Sequence, residues 1–175
     1  LDCTNIITPL VSVITNISLD HTMFLGDTLA KIATEKAGII KQNVPVVIGE
    51  AIDETRPVFE RIAREHNAPI VFAEDSSGIV SAKVDGLNGI DYTTTCYGTF
   101  KGALGGFYQV KNANTILHVV DLLRSSNMSI PTACVQKGFA EVCALTGLMG
   151  RWQTVRRQPL VVCDTGHNEG GWQYL

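Results

Sequence analysis

No two cysteines in this chain stand at CxxC spacing, and the five present (Cys3, Cys96, Cys134, Cys143, Cys163) are odd in number and scattered. That argues against a disulfide framework or a zinc knuckle, and reads as small buried residues of a reducing, cytoplasmic setting. Long apolar runs are missing too. Pro45 to Ile48 and Leu160 to Cys163 fall far short of the roughly 20 residues of a membrane helix, so no membrane span is expected. There is no basic excess: the formal net charge is -3 and the pI about 5.8, with Lys and Arg scattered, which speaks against a nucleic-acid partner. No GxxxxGK[ST] loop occurs anywhere, so the usual cradle for a triphosphate is lacking. Neither a start methionine nor a signal pattern opens the chain at Leu1, and it stops at Leu175, soon after Gly170-Gly171. It therefore reads as a piece cut from a longer protein.

What is present suits a globular α/β chain. With 175 residues, 45% hydrophobic and 18% charged, it can bury the core of about one domain and a little more. Val11 to Ser18 is rich in β-branched residues and predicts a buried strand, with Asp20 and His21 beyond its carboxyl end, where open α/β sheets place functional loops. Asp27 offers an N-cap for a helix over Thr28 to Lys36, with Leu29, Ile32 and Ala33 on one face and Gly38 to close it. A strand over Val44 to Ile48, a helix over Ile52 to Glu65 entered through Asp53 and Glu54, and a strand over Ile70 to Ala73 repeat the pattern. This alternation predicts a mostly parallel sheet flanked by helices.

From Gly78 to Phe107 the texture becomes alternating Val, Tyr and Thr broken by Gly86, Asn88-Gly89 and Gly98, which predicts a small antiparallel β-subdomain over 78–107. Asn112 to Leu123 and Pro131 to Leu145 return to a helical period, with apolar faces that should pack together. Arg151, Arg156, Arg157 and Pro159 then read as a linker, and Leu160 to Cys163 as the first strand of a further domain. The expected division is thus 1–150 and 151–175.

Two polar clusters could carry chemistry. Asp20-His21 at the end of a buried strand can bind a divalent metal or move protons, or can be an ordinary loop pair. Asp164-Thr-Gly-His167-Asn168, followed by Gly170-Gly171, fits metal binding, substrate contact or a capped turn. Lys36 reads as a solvated lysine, although a lysine held neutral can add carbon dioxide and become a two-oxygen anion for hard metal ions.

The order and gaps of Ile14-Thr-Asn-Ile-Ser-Leu-Asp20-His21-Thr22, Leu25-Gly26-Asp27-Thr28, Ile32-Ala33 and Glu35-Lys36-Ala37-Gly38-Ile39 closely resemble the central signature of the folylpolyglutamate synthases and dihydrofolate synthases of the Mur ligase superfamily. Leu1-Asp2-Cys3-Thr4-Asn5 resembles that family's LDATN segment. Gly150-Arg151 and Asp164-Thr-Gly-His167-Asn168 resemble its GR and DGAHN motifs, with Thr165 and Glu169 in place of the usual Gly and Pro. The resemblance implies a Mur ligase central-domain fold without its phosphate-loop portion, plus the first strand of a Rossmann-like glutamate-ligase domain. It also implies two magnesium ions, held in part by His21 and by a carbamylated Lys36. Leu1, Asp2 and Cys3 would line the pteroate site, with Cys3 standing where alanine is usual. Gln109 and Asn112 would meet adenine, Arg151 the terminal phosphate of ATP and Asp164 the nucleotide from the C-terminal side. His167 would lie near the incoming glutamate.

The implied reaction is formation of an acyl phosphate from a folate or dihydropteroate carboxylate and ATP, followed by attack of the amine of L-glutamate, in a monomeric parent enzyme. His21, Lys36 and Arg151 would be the catalytic residues, and this piece alone, without its phosphate loop, would be inactive. A peptidoglycan-type Mur ligase and a metal-dependent hydrolase using Asp20, His21, Asp164 and His167 are the competing readings.

Overall fold

The structure, a computed structural model, describes residues 3–18, 27–166 and 169–173. A 3-10 turn, Cys3–Ile6, precedes three parallel strands, β1 (Ser12–Ile14), β2 (Val46–Ile48) and β3 (Ile70–Phe72), arranged in that order. Ser12 pairs with Val46 and Ile14 with Ile48 on one side of β2, and Val46 with Ile70 on the other. All three residues of central β2 are buried, as a strand flanked on both sides and covered on its faces requires.

Helices α1 (Leu29–Ala37) and α2 (Arg56–Glu65) connect these strands and pack Ile32, Ala33, Ala37, Phe59, Ile62 and Ala63 inward. Together with Ile14, Val46, Ile48 and Phe72 most of these form the first hydrophobic core. Local caps differ from expectation. Thr28, not Asp27, caps α1, its Oγ1 accepting from Lys31 N at 3.3 Å, while Asp27 pairs with the Lys31 ammonium. Asp53 and Glu54 lie before α2, and Glu54 Oε1 instead accepts from Ala30 N at 3.0 Å. At its far end α2 closes with Asn67 at φ 48° and Ala68 N donating to Ala63 O at 2.8 Å, a left-handed stop that asparagine tolerates.

Antiparallel strands β4 (Ile79–Asp85), β5 (Gly89–Thr94) and β6 (Gly98–Gly102) form the second sheet. Alternation on β5 sends Ile90, Tyr92 and Thr94 inward. Helices α3 (Gln109–Ser125) and α4 (Thr132–Thr146) lie against this sheet, and Ile90, Tyr92, Tyr97 and Phe100 share one core with Ala113, Leu117 and Val135. The rings of Tyr92, Phe100 and Phe139 meet at centroid distances of 5.0–5.9 Å. The expected mutual packing of the two helices takes a looser form. Both rest on the sheet, and between them lies an apolar cavity of about 360 Å³ lined by Ala113, Ile116, Val120, Val135, Phe139 and Val142.

α3 also ties the two sheets together. Asn114 Nδ2 donates to Ala73 O (2.6 Å) at the end of β3, and its Oδ1 accepts from Gly78 N (2.9 Å). Gly49, just after β2, allows a close approach here: a Cβ would lie 2.3 Å from Thr15 O and 2.7 Å from Thr115 Oγ1.

The segment read as a linker is itself a strand. β7 (Gln153–Arg157) pairs antiparallel with β8 (Leu160–Cys163), Gln153 opposite Cys163, and a four-residue helix, α5 (Glu169–Trp172), follows. The burial expected of the cysteines is not found: Cys96, Cys134, Cys143 and Cys163 are all exposed free thiols. They sit on the turn before β6, on α4 and on β8, with Cys134 lining the open cavity between α3 and α4 and Cys143 a neighbouring one. Among the described residues no helix is long and apolar enough to cross a membrane.

Candidate functional site

A cleft of about 640 Å³ opens beyond the carboxyl ends of β1 and β2, where parallel sheets leave strand ends and loops free to meet a ligand. Thr15, Asn16 and Ser18 follow β1 on one side, and Glu50 follows β2. Tyr108, Gln109, Asn112 and Thr115 come from the head of α3, and Arg151, Asp164, Thr165 and Gly166 from the segments flanking the β7–β8 hairpin. The floor is set by backbone pairing, since Gly49 N donates to Ile14 O and Glu50 N to Thr15 O, both at 2.8 Å. Glu50 forms an ion pair with Lys111 on α3.

Gln109, Asn112, Arg151 and Asp164, far apart in sequence, thus line one cleft. Asn112 Nδ2 donates to Gln109 Oε1 at 3.2 Å, so two amides stand side by side and present donors and acceptors together. Arg151 Nη1 donates to Thr165 Oγ1 at 2.7 Å. Gly150, at φ 70°, lets the chain turn close to the same threonine: a Cβ there would sit 2.7 Å from Thr165 Cγ2.

Asp164 is the most heavily bonded group of the cleft. Its Oδ2 accepts from the Tyr108 hydroxyl (2.6 Å) and from Trp152 N (2.8 Å), and its Oδ1 from Gly166 N (2.8 Å). Partial burial, the largest single influence, pushes the carboxyl up. The hydrogen bonds from Tyr108, Trp152 and Gly166, with the charge of Arg151, outweigh it and hold Asp164 below the usual carboxylate value. Burial, followed by donation to Asp164, pushes the Tyr108 phenol up to about 12. At neutral pH the pair is a neutral phenol donating to a carboxylate.

Tyr108, Trp152 and Glu50 escaped the sequence reading. Tyr108 adjoins Gln109 and Trp152 adjoins Arg151, yet a tyrosine at a helix head and a tryptophan in a presumed linker carry no motif. Trp152 adopts φ 49° and donates its indole Nε1–H to Gly86 O at 2.8 Å, pinning the hairpin to the β-sheet.

Among the described residues, one expected site side chain, that of Lys36, does not line this cleft. Lys36, half-buried, stands in the last turn of α1, three residues before Ile39, whose carbonyl accepts from Ser12 Oγ at the amino end of β1 (2.9 Å). Cys3 opens the 3-10 turn, whose Asn5 carbonyl accepts from Lys41 Nζ at 2.6 Å. Leu1, Asp2, Asp20, His21, His167 and Asn168 lie outside the described residues. Among the described residues no group of three or more His, Cys, Asp and Glu could hold a metal ion.

No protein-family model matches the chain. It is 32% identical over 178 aligned positions to a dihydrofolate synthase/folylpolyglutamate synthase of Bacillus subtilis, covering 99% of this chain and 40% of that protein. It is 31% identical to a folylpolyglutamate synthase of Lacticaseibacillus casei, covering 97% and 40%. Among solved structures, an FPGS–AMPPCP–folate complex superposes with a TM-score of 0.85 at 28% identity, over 99% of this chain and 42% of that one. A Mycobacterium tuberculosis folylpolyglutamate synthase complexed with ADP gives 0.79 at 27%, over 97% and 38%. The chain spans about two fifths of the length of the relatives it matches.

Proposed function

The chain belongs to the folylpolyglutamate synthase/dihydrofolate synthase family, matching part of its members' length, and from that premise we propose that the protein carrying it is an ATP-dependent ligase. It joins L-glutamate to the carboxylate of a folate or dihydropteroate through an acyl phosphate. The single observation that supports this best is the convergence of Gln109, Asn112, Arg151 and Asp164 on one cleft at the carboxyl ends of β1 and β2.

Each of these residues has a chemical task in such a reaction. The paired amides of Gln109 and Asn112 offer the alternating donor and acceptor that an adenine edge requires. Arg151 remains charged at any working pH, and its planar fork fits the terminal phosphate oxygens, stabilising charge as the phosphoryl group moves. Asp164, kept anionic by its three donors, contacts the nucleotide from the hairpin side. Since Arg151 and Asp164 flank the β7–β8 hairpin while the amides lie on α3, hairpin placement decides whether the site is complete.

Magnesium is expected of the family, but the described residues do not assemble a set that fits it: Lys36 stands alone and His21 lies outside them. The roles of His21, carbamylated Lys36, Leu1, Asp2, Cys3 and His167 rest on the family resemblance. The division into a central-domain part over 1–150 and a C-terminal part over 151–175 is proposed on the same basis.

The test is ATP-dependent glutamate addition to dihydropteroate and to tetrahydrofolate, run in parallel with the full-length native protein and with its Arg151→Ala variant. Product from either substrate supports the reading and shows which activity the protein has. The variant should lose about 10²–10³ in kcat, as removal of one charge-stabilising donor does elsewhere. No product from either acid, or full activity in Arg151→Ala, would overturn it. The 175-residue chain on its own should not turn over ATP, because no phosphate-binding loop occurs in it.

A further inference from the structure

Arg151 reaches the cleft on a long, flexible side chain, whose freedom has to be given up before its planar fork can meet a phosphate. Asp164 acts on it through charge, and charge favours proximity without fixing a direction. A hydrogen bond does fix one. Here it goes to Thr165, whose Oγ1 accepts from Arg151 Nη1 at 2.7 Å.

Thr165 is itself held in place. Its backbone N donates to Gly150 O at 2.8 Å. Its methyl lies so close to Gly150 that a Cβ there would come within 2.7 Å of Thr165 Cγ2. A β-branched side chain has little freedom about χ1, so a methyl seated against a glycine leaves the hydroxyl fixed on the side of the guanidinium. The turn that carries Arg151 is fastened in the same way. Gly150 N donates to Gln153 Oε1 at 2.9 Å, and Trp152 N to Asp164 Oδ2 at 2.8 Å. The backbone is thus tied to Asp164 and Thr165 on both sides of Arg151, and the Thr165 hydroxyl extends this hold to the guanidinium. The glycine usual at this place in the family offers neither the methyl nor the hydroxyl.

We propose that Thr165 is a positioning residue for Arg151, its hydroxyl holding the guanidinium in the orientation that meets the terminal phosphoryl group. This role rests on the ligase reading above, and Thr165 acts through Arg151. A donor aimed beforehand needs no reorganisation as charge develops in the transition state, so the effect belongs in kcat and not in KM. Arg151 keeps its charge without this bond, so losing Thr165 should cost less activity than losing the arginine.

The experiment is ligase turnover by the full-length native protein, Thr165→Val and Thr165→Ser, with Thr165→Val also combined with Arg151→Ala. Valine keeps the branched shape and the methyl against Gly150 and removes the acceptor. Thr165→Val should lower kcat about tenfold, the scale of one charge-assisted bond, and leave KM for ATP and for the folate within about twofold. Thr165→Ser, which restores the acceptor, should stay within about threefold of native kcat. With Arg151→Ala already present, Thr165→Val should change kcat by less than about twofold, because no guanidinium is left to aim. Independently of turnover, nitrogen NMR of the Arg151 guanidinium should show faster rotation about Cζ–Nη1 in Thr165→Val than in the native protein. Unchanged kcat in Thr165→Val, an equal loss in Thr165→Ser, or a loss undiminished by Arg151→Ala would each overturn the proposal. No turnover by the native protein would instead sink the ligase reading, and the guanidinium signal then decides: faster rotation in Thr165→Val keeps Thr165 as the group that holds Arg151, and unchanged rotation removes it.

Discussion

The Tyr108 hydroxyl donates a 2.6 Å hydrogen bond to Asp164 Oδ2 across 56 positions of sequence, joining the head of α3 to the end of β8. One side of the contact presents the amides that face the cleft, and the other side presents Arg151 and Asp164. Tyr108→Phe removes this donor and leaves the ring in place. The carboxylate keeps its two backbone donors, so the fold should survive with a loss of about 1–2 kcal/mol, the scale of a partly exposed hydrogen bond to a charged group. Asp164 should then titrate closer to an ordinary carboxylate, measurable by carbon-detected NMR, and nucleotide affinity should fall about tenfold. An unmoved Asp164 titration would show that the phenol does not hold the carboxylate.

The same contact has a signature at alkaline pH. Burial, aided by hydrogen bonds to Asp121 and Asp164, raises Tyr97 and Tyr108 to about 12, and burial alone raises Tyr92 to about 12, from the ordinary phenol value of 10.0. A raised phenol pKa marks a neutral form that folding favours, so its contribution to stability is complete below pH 10 and is lost as pH climbs through about 12. Spectrophotometric titration should therefore show three of the four tyrosines ionising well above pH 10. A single transition near pH 10 for all four would mean that the phenols are open to water. Asp164 works in the opposite direction. Its depressed carboxyl stabilises the fold above the ordinary carboxylate range, and the contribution is lost as pH falls through its lower native value.

Much of this arrangement was legible in the sequence because it depends on periodicity and short motifs. The three parallel strands and the helices between them followed from β-branched runs alternating with helical spacing, and the antiparallel layer from Asn88-Gly89 and alternating Val, Tyr and Thr. Cleft residues came from the family resemblance; neither Gln109 nor Asn112 has a local feature that marks it. What escaped depends on tertiary contact. β7 reads as a charged linker because Arg156 and Arg157 are exposed and only its pairing with β8 makes it a strand. The cysteines looked like core residues from composition, yet Cys134 and Cys143 are exposed, because α4 does not close onto its neighbours there and both line open cavities.

Two glycines make opposite predictions from one chemical change. Gly49→Ala would place a methyl 2.3 Å from Thr15 O and 2.7 Å from Thr115 Oγ1, where β1, β2 and α3 meet and the backbone cannot yield locally. Overpacking of this kind should cost about 3 kcal/mol and widen the cleft floor. Gly138, inside α4, has nothing within 4 Å of its added Cβ, so Gly138→Ala should stabilise by about 0.5–1 kcal/mol through helix propensity alone. Denaturant midpoints of the two variants on either side of wild type would meet the expectation; equal midpoints would remove Gly49 from the account of the cleft.

Trp152 separates the anchoring of the hairpin from the charge state of the cleft. Its indole N–H donates to Gly86 O at 2.8 Å, and its backbone N–H donates to Asp164 Oδ2 at 2.8 Å. Trp152→Phe keeps the second bond and loses the first, leaving a half-buried carbonyl without that donor at a cost of about 1 kcal/mol. The unfolding midpoint should drop accordingly, while the Asp164 titration stays where it is and nucleotide affinity falls less than in Tyr108→Phe. A larger loss of affinity in Trp152→Phe than in Tyr108→Phe would mean that hairpin placement, and not the phenol–carboxylate contact, governs the completeness of the site.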